Sequence, residues 1–215
     1  MAAYFVYGFA GSTFTRIVRM AFAEKGVSYE LVPVGIHDGA NRTADHLARH
    51  PFGKVPALGV AGTYLYETEA ILELLEGWHP APALFPDDVL ARARMRQWMS
   101  VIHTYTYPPM VATLMWERLL KPRMGREPDE DALARALPEV RRQLALFDAQ
   151  LAETPYVAGQ TFSAADLYLA AVVDFVARTP EGPDLLANAA NVARWWEEVR
   201  QRPSVRDTAP FEEPA

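Results

Sequence analysis

The first 34 residues narrow the fold more than any other stretch. Residues 3–8, AYFVYG, are aromatic and β-branched and suit a short buried strand. From Phe14 to Lys25 the apolar residues Ile17, Val18, Ala21 and Phe22 recur at helical spacing, and Lys25-Gly26 stops the helix. Tyr29–Val34 reads as a second strand. Strand, helix and strand within about 30 residues form a βαβ unit, which implies parallel pairing and a right-handed crossover.

The pattern then changes. His37–His50 is polar and irregular, with one short helix expected around Asp45–Arg49. In HPFGKVPAL, Pro51 and Pro56 bracket Gly53. Val55–Val60 and Thr63–Tyr66 read as two strands of a hairpin that turns at Ala61-Gly62. Thr68–Trp78 reads as a helix with Ile71, Leu74 and Leu75 on one face. The order βαβ then ββα makes an α/β domain over residues 1–79. Three prolines in HPAPALFPDD make a stiff linker over 80–88. The remainder, 89–215, reads as all helical: about 89–120 with a break at Pro108-Pro109, then 129–152, 163–178 and 188–201. In TFSAADL, Ser163 and Asp166 form a capping box and Phe162 and Leu167 a hydrophobic staple. Trp195-Trp196 is expected to pack between the domains.

Composition excludes several classes of function. A net charge of −6 with no basic domain argues against nucleic acid as a partner. No apolar run approaches the roughly 20 residues of a membrane span. The N-terminus MAAYFVYGF lacks the pattern of a signal peptide, so a cytoplasmic protein is expected. The chain has no cysteine, which removes disulfides, thiolate metal sites and a protein-thiol nucleophile. No G-x-G-x-x-G, P-loop, H-E-x-x-H or G-x-S-x-G occurs. The histidines His37, His46, His50, His79 and His103 are scattered and read as surface or loop residues, and no metal is expected.

Three features of the first domain carry candidate chemistry. In YGFAGSTFTRIVR, Tyr7–Arg19, the hydroxyls of Ser12 and Thr13 stand where the strand hands over to the helix. A hydroxyl there either caps the helix or is held against something reactive at its positive end. Lys54-Val55-Pro56 enters a strand, and Glu67-Thr68 opens a helix. Around them stand Tyr7-Gly8, Arg16, Val18-Arg19, Glu24-Lys25-Gly26, Asn41-Arg42, the run PFGKVPAL from Pro51 to Leu58, Ala70-Ile71, and Phe162-Ser163 with Asp166-Leu167. With these residues the chain resembles the cytosolic glutathione transferases over essentially its whole length. It looks most like their serine-type classes, phi and theta, in a bacterial form.

The resemblance implies a thioredoxin-like domain followed by an all-helical domain, a two-fold homodimer, and glutathione as cosubstrate. It implies that Ser12 holds the glutathione thiolate, with Tyr7 and Thr13 as alternatives. Arg16 then either supports the site's positive potential or sits in a surface ion pair. If Thr13 or the backbone caps the helix, Ser12 is free to face the sulfur. Val55, before a cis Pro56, is expected to pair with the peptide backbone of the ligand. Glu67 is expected to meet its ammonium and Thr68 its α-carboxylate. Asn41, Arg42 and Lys54 are expected to face the glycyl carboxylate. The electrophile is expected between the domains, against Phe9, Phe14, Tyr105, Tyr107, Met110 and Trp116.

The expected reaction is conjugation of the thiolate to apolar electrophiles, with peroxide reduction as a side activity. Dehalogenation, ether cleavage or isomerisation on the same site is the alternative, and a non-catalytic binding or assembly module the second. The energetics suit one hydroxyl. A thiol of pKa about 8.5 is only a few per cent ionised at pH 7. Lowering that pKa by about two units takes about 2.7 kcal/mol. A hydrogen bond to a charged group supplies about 1.5–3 kcal/mol, and a helix N-terminus adds about 0.3–1 kcal/mol.

Overall fold

A computed structural model describes residues 3–211. The chain divides into two compact units, Met1–Leu84 with Arg202–Ala215, and Phe85–Gln201.

The first unit runs β1 (Tyr4–Gly8), α1 (Thr13–Glu24), β2 (Glu30–Pro33), a 3-10 turn at Ala40–Arg42, α2 (Ala44–Arg49), β3 (Ala57–Val60), β4 (Thr63–Tyr66) and α3 (Thr68–Trp78). The strand order is β2-β1-β3-β4. The parallel pair required by the βαβ pattern is present, with Phe5 opposite Glu30 and Gly8 opposite Pro33. Pro33 lies on the edge strand, where its missing amide breaks no interior ladder. The β3–β4 hairpin turns at Ala61 (φ 49°) and Gly62 (φ 76°), and two positive φ values are what a tight two-residue turn of this hand needs.

Ile17, Val18, Ala21 and Phe22 are wholly buried, as the helical spacing of α1 predicts, and they pack with Val6 and Leu58 in the core. On α3 the inward face is Ile71, Leu72 and Leu75, while Leu74 is only half-buried. Lys25 ties α1 to α3 with a buried ammonium 2.6 Å from the Glu76 carboxylate. That carboxylate also accepts the Leu84 amide at 3.1 Å.

The C-terminal segment, which the sequence leaves with the helices, belongs to this first unit. Arg202 makes two bonds to Glu24, at 2.8 and 2.7 Å, and the Ser204 hydroxyl bonds the same carboxylate. Arg16, fully buried, donates to the Val205 carbonyl at 3.1 Å. These contacts span about 180 residues of chain, and no local pattern reports them.

The second unit is helical: Val89–Val101, Glu130–Glu153, Ala164–Ala177, Gly182–Ala187 and Ala190–Val199. The break expected at Pro108-Pro109 does not occur. Helical backbone runs on from Val101 through Ile102–Thr106 and Pro108–Leu120 in wide π-type turns. Tyr107, between those two stretches, has φ −56° and ψ −45° and donates to Ile102, five residues back. Bonding to i−5 skips the carbonyl that a proline ring would strike in an α-helix. The hydroxyl of Thr113 satisfies the Pro108 carbonyl at 3.2 Å.

Ala164–Ala177 is buried on every side over Ala164–Val176, the environment of a central core helix. Its capping box forms as the sequence predicts and carries more than a cap. The Asp166 carboxylate accepts the Ser163 amide at 2.9 Å, the Ser163 hydroxyl at 3.1 Å, the Val157 amide at 3.0 Å and the Trp195 indole at 3.0 Å. Trp195, expected between the domains, is thereby fixed inside the helical unit.

Burial pushes the Asp166 carboxyl up to about 6, against the donors that favour its charge. An unfolded aspartate titrates near 3.9, at about its ordinary value. Between these values the folded chain holds a proton that the unfolded chain has lost. This group's contribution to stability therefore falls as pH rises from about 4 to about 6 and is level above. Asp166→Ala should lower stability by about 3 kcal/mol or more, since it strands several buried donors. Asp166→Asn should remove the pH term, so its loss should be larger at pH 4.5 than at pH 7 by about 2 kcal/mol. Guanidinium unfolding at the two pH values measures this, and equal losses would refute it.

Candidate functional site

The turn from β1 into α1 depends on Gly8. A Cβ there would lie 2.4 Å from the Thr15 hydroxyl oxygen and 2.8 Å from its methyl. The missing side chain lets the strand end press against the first turn of α1. The chain then bends so that the Ser12 amide bonds the Phe9 carbonyl at 3.1 Å.

Ser12 is itself the N-cap of α1: its backbone is extended (φ −78°, ψ 124°), and its Oγ accepts the Thr15 amide at 3.3 Å. Neither Thr13 nor the backbone relieves it of that duty, as the sequence reading had allowed. The two roles still coexist. A hydroxyl accepts through a lone pair and keeps its hydrogen, so a capping Ser12 can donate to an anion at the positive end of α1.

The alternatives to Ser12 have other surroundings. Thr13 is buried in the first helical turn. Tyr7 lies over Gly59, whose Cβ would stand 3.1 Å from its ring. The Arg49 guanidinium covers the Tyr7 ring at 4.5 Å and Tyr64 meets it edge-on at 6.0 Å, so the ring serves as a packing platform. Arg16 is not at the surface: its side chain is fully buried and donates to the Val205 carbonyl.

The second group surrounds the loop entering β3. Gly53 has φ +61°, and a Cβ there would lie 2.8 Å from the Asn41 carbonyl oxygen. The Gly53 amide bonds the His50 carbonyl at 2.8 Å. The peptide bond from Val55 to Pro56 is cis, as the resemblance implies. Arg42 and Lys54 are exposed, and Val55 is half-buried. Among the described residues, no turn or loop hydrogen bond engages the backbone of Val55.

Asn41 is buried, and it turns its Nδ2 onto the Gly53 carbonyl at 2.7 Å. His46 corrects the expectation of a surface or loop residue, being helical and 1% exposed, while His50 is a loop residue as expected but only 2% exposed. His46 lies on α2 and His50 is the extended residue just past its end, and their rings stand 6.4 Å from each other. His46 bonds the Lys54 carbonyl through Nε2 at 2.8 Å. A carbonyl only accepts, so Nε2 carries the hydrogen. Burial pushes the His50 imidazole below its ordinary value, with the Glu67 charge opposing.

The third group opens α3. Glu67 has φ 68° and ψ 121°, a conformation that costs a residue with a Cβ about 1–3 kcal/mol. The sequence offered no sign of it, because glycine is the usual marker of positive φ. Thr68 is 7% exposed, and no side chain caps the helix. The first-turn amides of α3 and an exposed carboxylate thus meet at one corner, close to His50.

The apolar candidates separate by unit. In the first, Phe9 and Phe14 are half-buried, and the Phe9 ring folds over Gly11. In the second, Tyr105 is 59% exposed and lines a cavity of about 220 Å³ with Val101, Arg142, Gln143 and Leu146. Tyr107 and Trp116 are half-buried, and burial raises the Tyr107 phenol above its ordinary value. Met110 is wholly buried.

Among the described residues no cluster suits a metal ion, and no helix is long and apolar enough to cross a membrane. The family models for the glutathione S-transferase N-terminal and C-terminal domains match residues 2–77 and 98–203. Glutathione S-transferase 4 of Zea mays is 32% identical over 206 residues, which cover 96% of this chain and 92% of that protein. Among solved structures, glutathione S-transferase-I bound with lactoylglutathione is 27% identical with a TM-score of 0.88, covering 96% of this chain and 98% of that one. Glutathione S-transferase I from mais in complex with an atrazine glutathione conjugate is also 27% identical, with a TM-score of 0.86 and 96% of each chain covered. The maize relative is a plant protein, and it lends no support to the expected bacterial form. With both domain models matched in order and a relative aligned along nearly its full length, the chain belongs to the glutathione S-transferase family.

Proposed function

We propose that this chain conjugates the thiolate of glutathione to electrophilic, mostly apolar substrates, with Ser12 donating the hydrogen bond that keeps the sulfur ionised. The observation that carries the reading is the Ser12 cap, whose oxygen is engaged by Thr15 while its hydrogen is left to donate at the positive end of α1. Names of relatives and ligands of solved neighbours supply the cosubstrate. Ser12 and the plant relatives favour a phi-type enzyme that works in detoxification.

Each part of glutathione then has a partner. The backbone of Val55 pairs with the ligand as an added strand. Glu67 offers its carboxylate to the ammonium, and Thr68 with the first amides of α3 receives the α-carboxylate. The exposed cations Arg42 and Lys54 face the glycyl carboxylate. Phe9 and Phe14 are the apolar surface proposed for the first unit, and Tyr105, Tyr107 and Trp116 that for the second. A cytoplasmic homodimer completes the proposal, with peroxide reduction as a side activity of the same thiolate.

Two substitutions at Ser12 separate its roles. Glycine caps a helix nearly as well as serine, whereas alanine forfeits about 1 kcal/mol. Absorbance titration of bound glutathione should give a thiol pKa well below the free value in the wild type. It should rise by about 1–2 units in both Ser12→Gly and Ser12→Ala, the equivalent of one lost charge-assisted bond. Only the alanine variant should also lose stability, and an unchanged pKa in both would remove Ser12 from its role.

At Glu67 the conformational strain and the carboxylate can likewise be separated. Glu67→Ala keeps the strain and Glu67→Gly relieves it, so the glycine variant should be the more stable by about 1 kcal/mol. Both should bind glutathione more weakly by the same factor. Thermal unfolding and calorimetric titration test the pair, and wild-type affinity in either would exclude the ammonium contact.

A further inference from the structure

Two buried side chains hold the loop before Val55 without belonging to it. Asn41 donates its Nδ2 to the Gly53 carbonyl at 2.7 Å, and His46 donates Nε2–H to the next carbonyl, that of Lys54, at 2.8 Å. They are 8% and 1% exposed. They come from different elements, the 3-10 turn at Ala40–Arg42 and helix α2, so two successive peptide oxygens are drawn inward by independent anchors. The remaining atoms, Asn41 Oδ1 and His46 Nδ1, are buried with no hydrogen-bond partner among the described residues.

Burial and bonding set both side chains apart from a ligand carboxylate. Asn41 is 8% exposed, directs its Nδ2 onto Gly53, and turns an oxygen that only accepts to its other side. His46 is enclosed, and its second nitrogen carries a lone pair once Nε2 holds the hydrogen. Both side chains instead hold two carbonyls inward immediately before Val55, whose backbone takes part in no turn or loop bond among the described residues.

We propose that Asn41 and His46 are positioning residues for glutathione: by pinning the Gly53 and Lys54 carbonyls they orient the Val55 peptide for pairing with the ligand, and neither touches the ligand. The inference rests on the glutathione reading above. It reassigns Asn41 from the glycyl contact that the resemblance implies to a role exerted through the loop. Releasing either carbonyl lets the 53–55 segment rotate, and the loss falls on the ligand's central backbone rather than on its glycine end. Such a bond, left with one buried partner unpaired, is large enough to shift an affinity about tenfold or more.

The test compares glutathione with γ-glutamylcysteine, which lacks the glycine. Calorimetric dissociation constants would be measured for wild type, Asn41→Ala, His46→Leu and His46→Gln, with thermal unfolding as a check that each is folded. Asn41→Ala should weaken both ligands by the same factor, about tenfold. A direct glycyl contact would weaken glutathione alone and overturn the proposal for Asn41. His46→Leu should weaken both ligands similarly, and His46→Gln, which can return a donor near the Nε2 position, should recover most of the loss. The thiol pKa of glutathione bound at saturation should stay at the wild-type value in all three.

Equal losses in the leucine and glutamine variants, or a thiol pKa that rises with the dissociation constant, would show general loosening and overturn the role of His46. If His46→Leu does not fold, the glutamine variant and Asn41→Ala still decide the matter, since wild-type affinity in Asn41→Ala overturns the proposal. A wild-type chain that binds neither ligand would sink the transferase reading itself. Binding by the wild type that the variants share in full would sink only the inference drawn here.

Discussion

The close approach of Gly8 to Thr15 is the contact on which the arrangement around Ser12 depends. A methyl group at position 8 would stand 2.4 Å from the Thr15 oxygen, well inside contact distance, so α1 would have to shift away from β1. The register of that turn decides which residue caps the helix. Ser12 caps because the strand ends at Gly8 and α1 begins at Thr13. Three residues beyond the cap, Thr15 lends both its amide to Ser12 and its side chain to the contact with Gly8. One steric constraint therefore places both the proposed donor and the helix end that supports it.

Helix α1 is held from below as well. Arg16 is buried beneath it and binds the Val205 carbonyl, and Glu24 at its far end binds Arg202 and Ser204. A guanidinium without exposure is costly to desolvate, and here it stands where two segments far apart in sequence must meet. The C-terminal segment thus braces the same helix whose N-terminus faces the proposed thiolate. Lys25, just past the C-terminus of α1, ties that helix to α3, and Phe22 of α1 lies in the core.

What the sequence revealed depended on whether the responsible contact was local. The βαβ unit was legible because Ile17, Val18, Ala21 and Phe22 mark one helical face. The hairpin was legible from Ala61-Gly62, and the capping box from Ser163 and Asp166 three residues apart. Contacts over long separations left no trace. Nothing near Arg202 announces that it returns to Glu24, and nothing near Asp166 announces the Trp195 indole. Pro108-Pro109 misled because proline rules assume an α-helix, and the chain there uses wide turns that spare the ring. At the candidate site, Ser12, the cis bond before Pro56 and the Glu67-Thr68 corner were visible through motif and resemblance. The positive φ of Glu67 was hidden because its side chain is kept despite the strain. The burial of His46 and His50 was hidden because a helix as short as α2 marks no inward face in the sequence, and His50 is in the loop beyond it.

Those two histidines also show how the cost of the proposed ligand loop is distributed. Asn41 Oδ1, His46 Nδ1 and His50 Nδ1 are all buried without partners among the described residues, within ten residues of one another. Each such atom costs about 1–3 kcal/mol relative to a satisfied one, and an apolar floor under the loop would avoid that. An apolar floor could not draw the Gly53 and Lys54 carbonyls inward, however, because only a donor does so. The polar floor and the strained Glu67 therefore share one logic. Each lowers the stability of the first unit locally, and each aims a backbone group or carboxylate in a direction that packing alone would not choose. Asn41 and His46 show the same pattern, each with one atom directed at a carbonyl of the 53–54 segment and one left over.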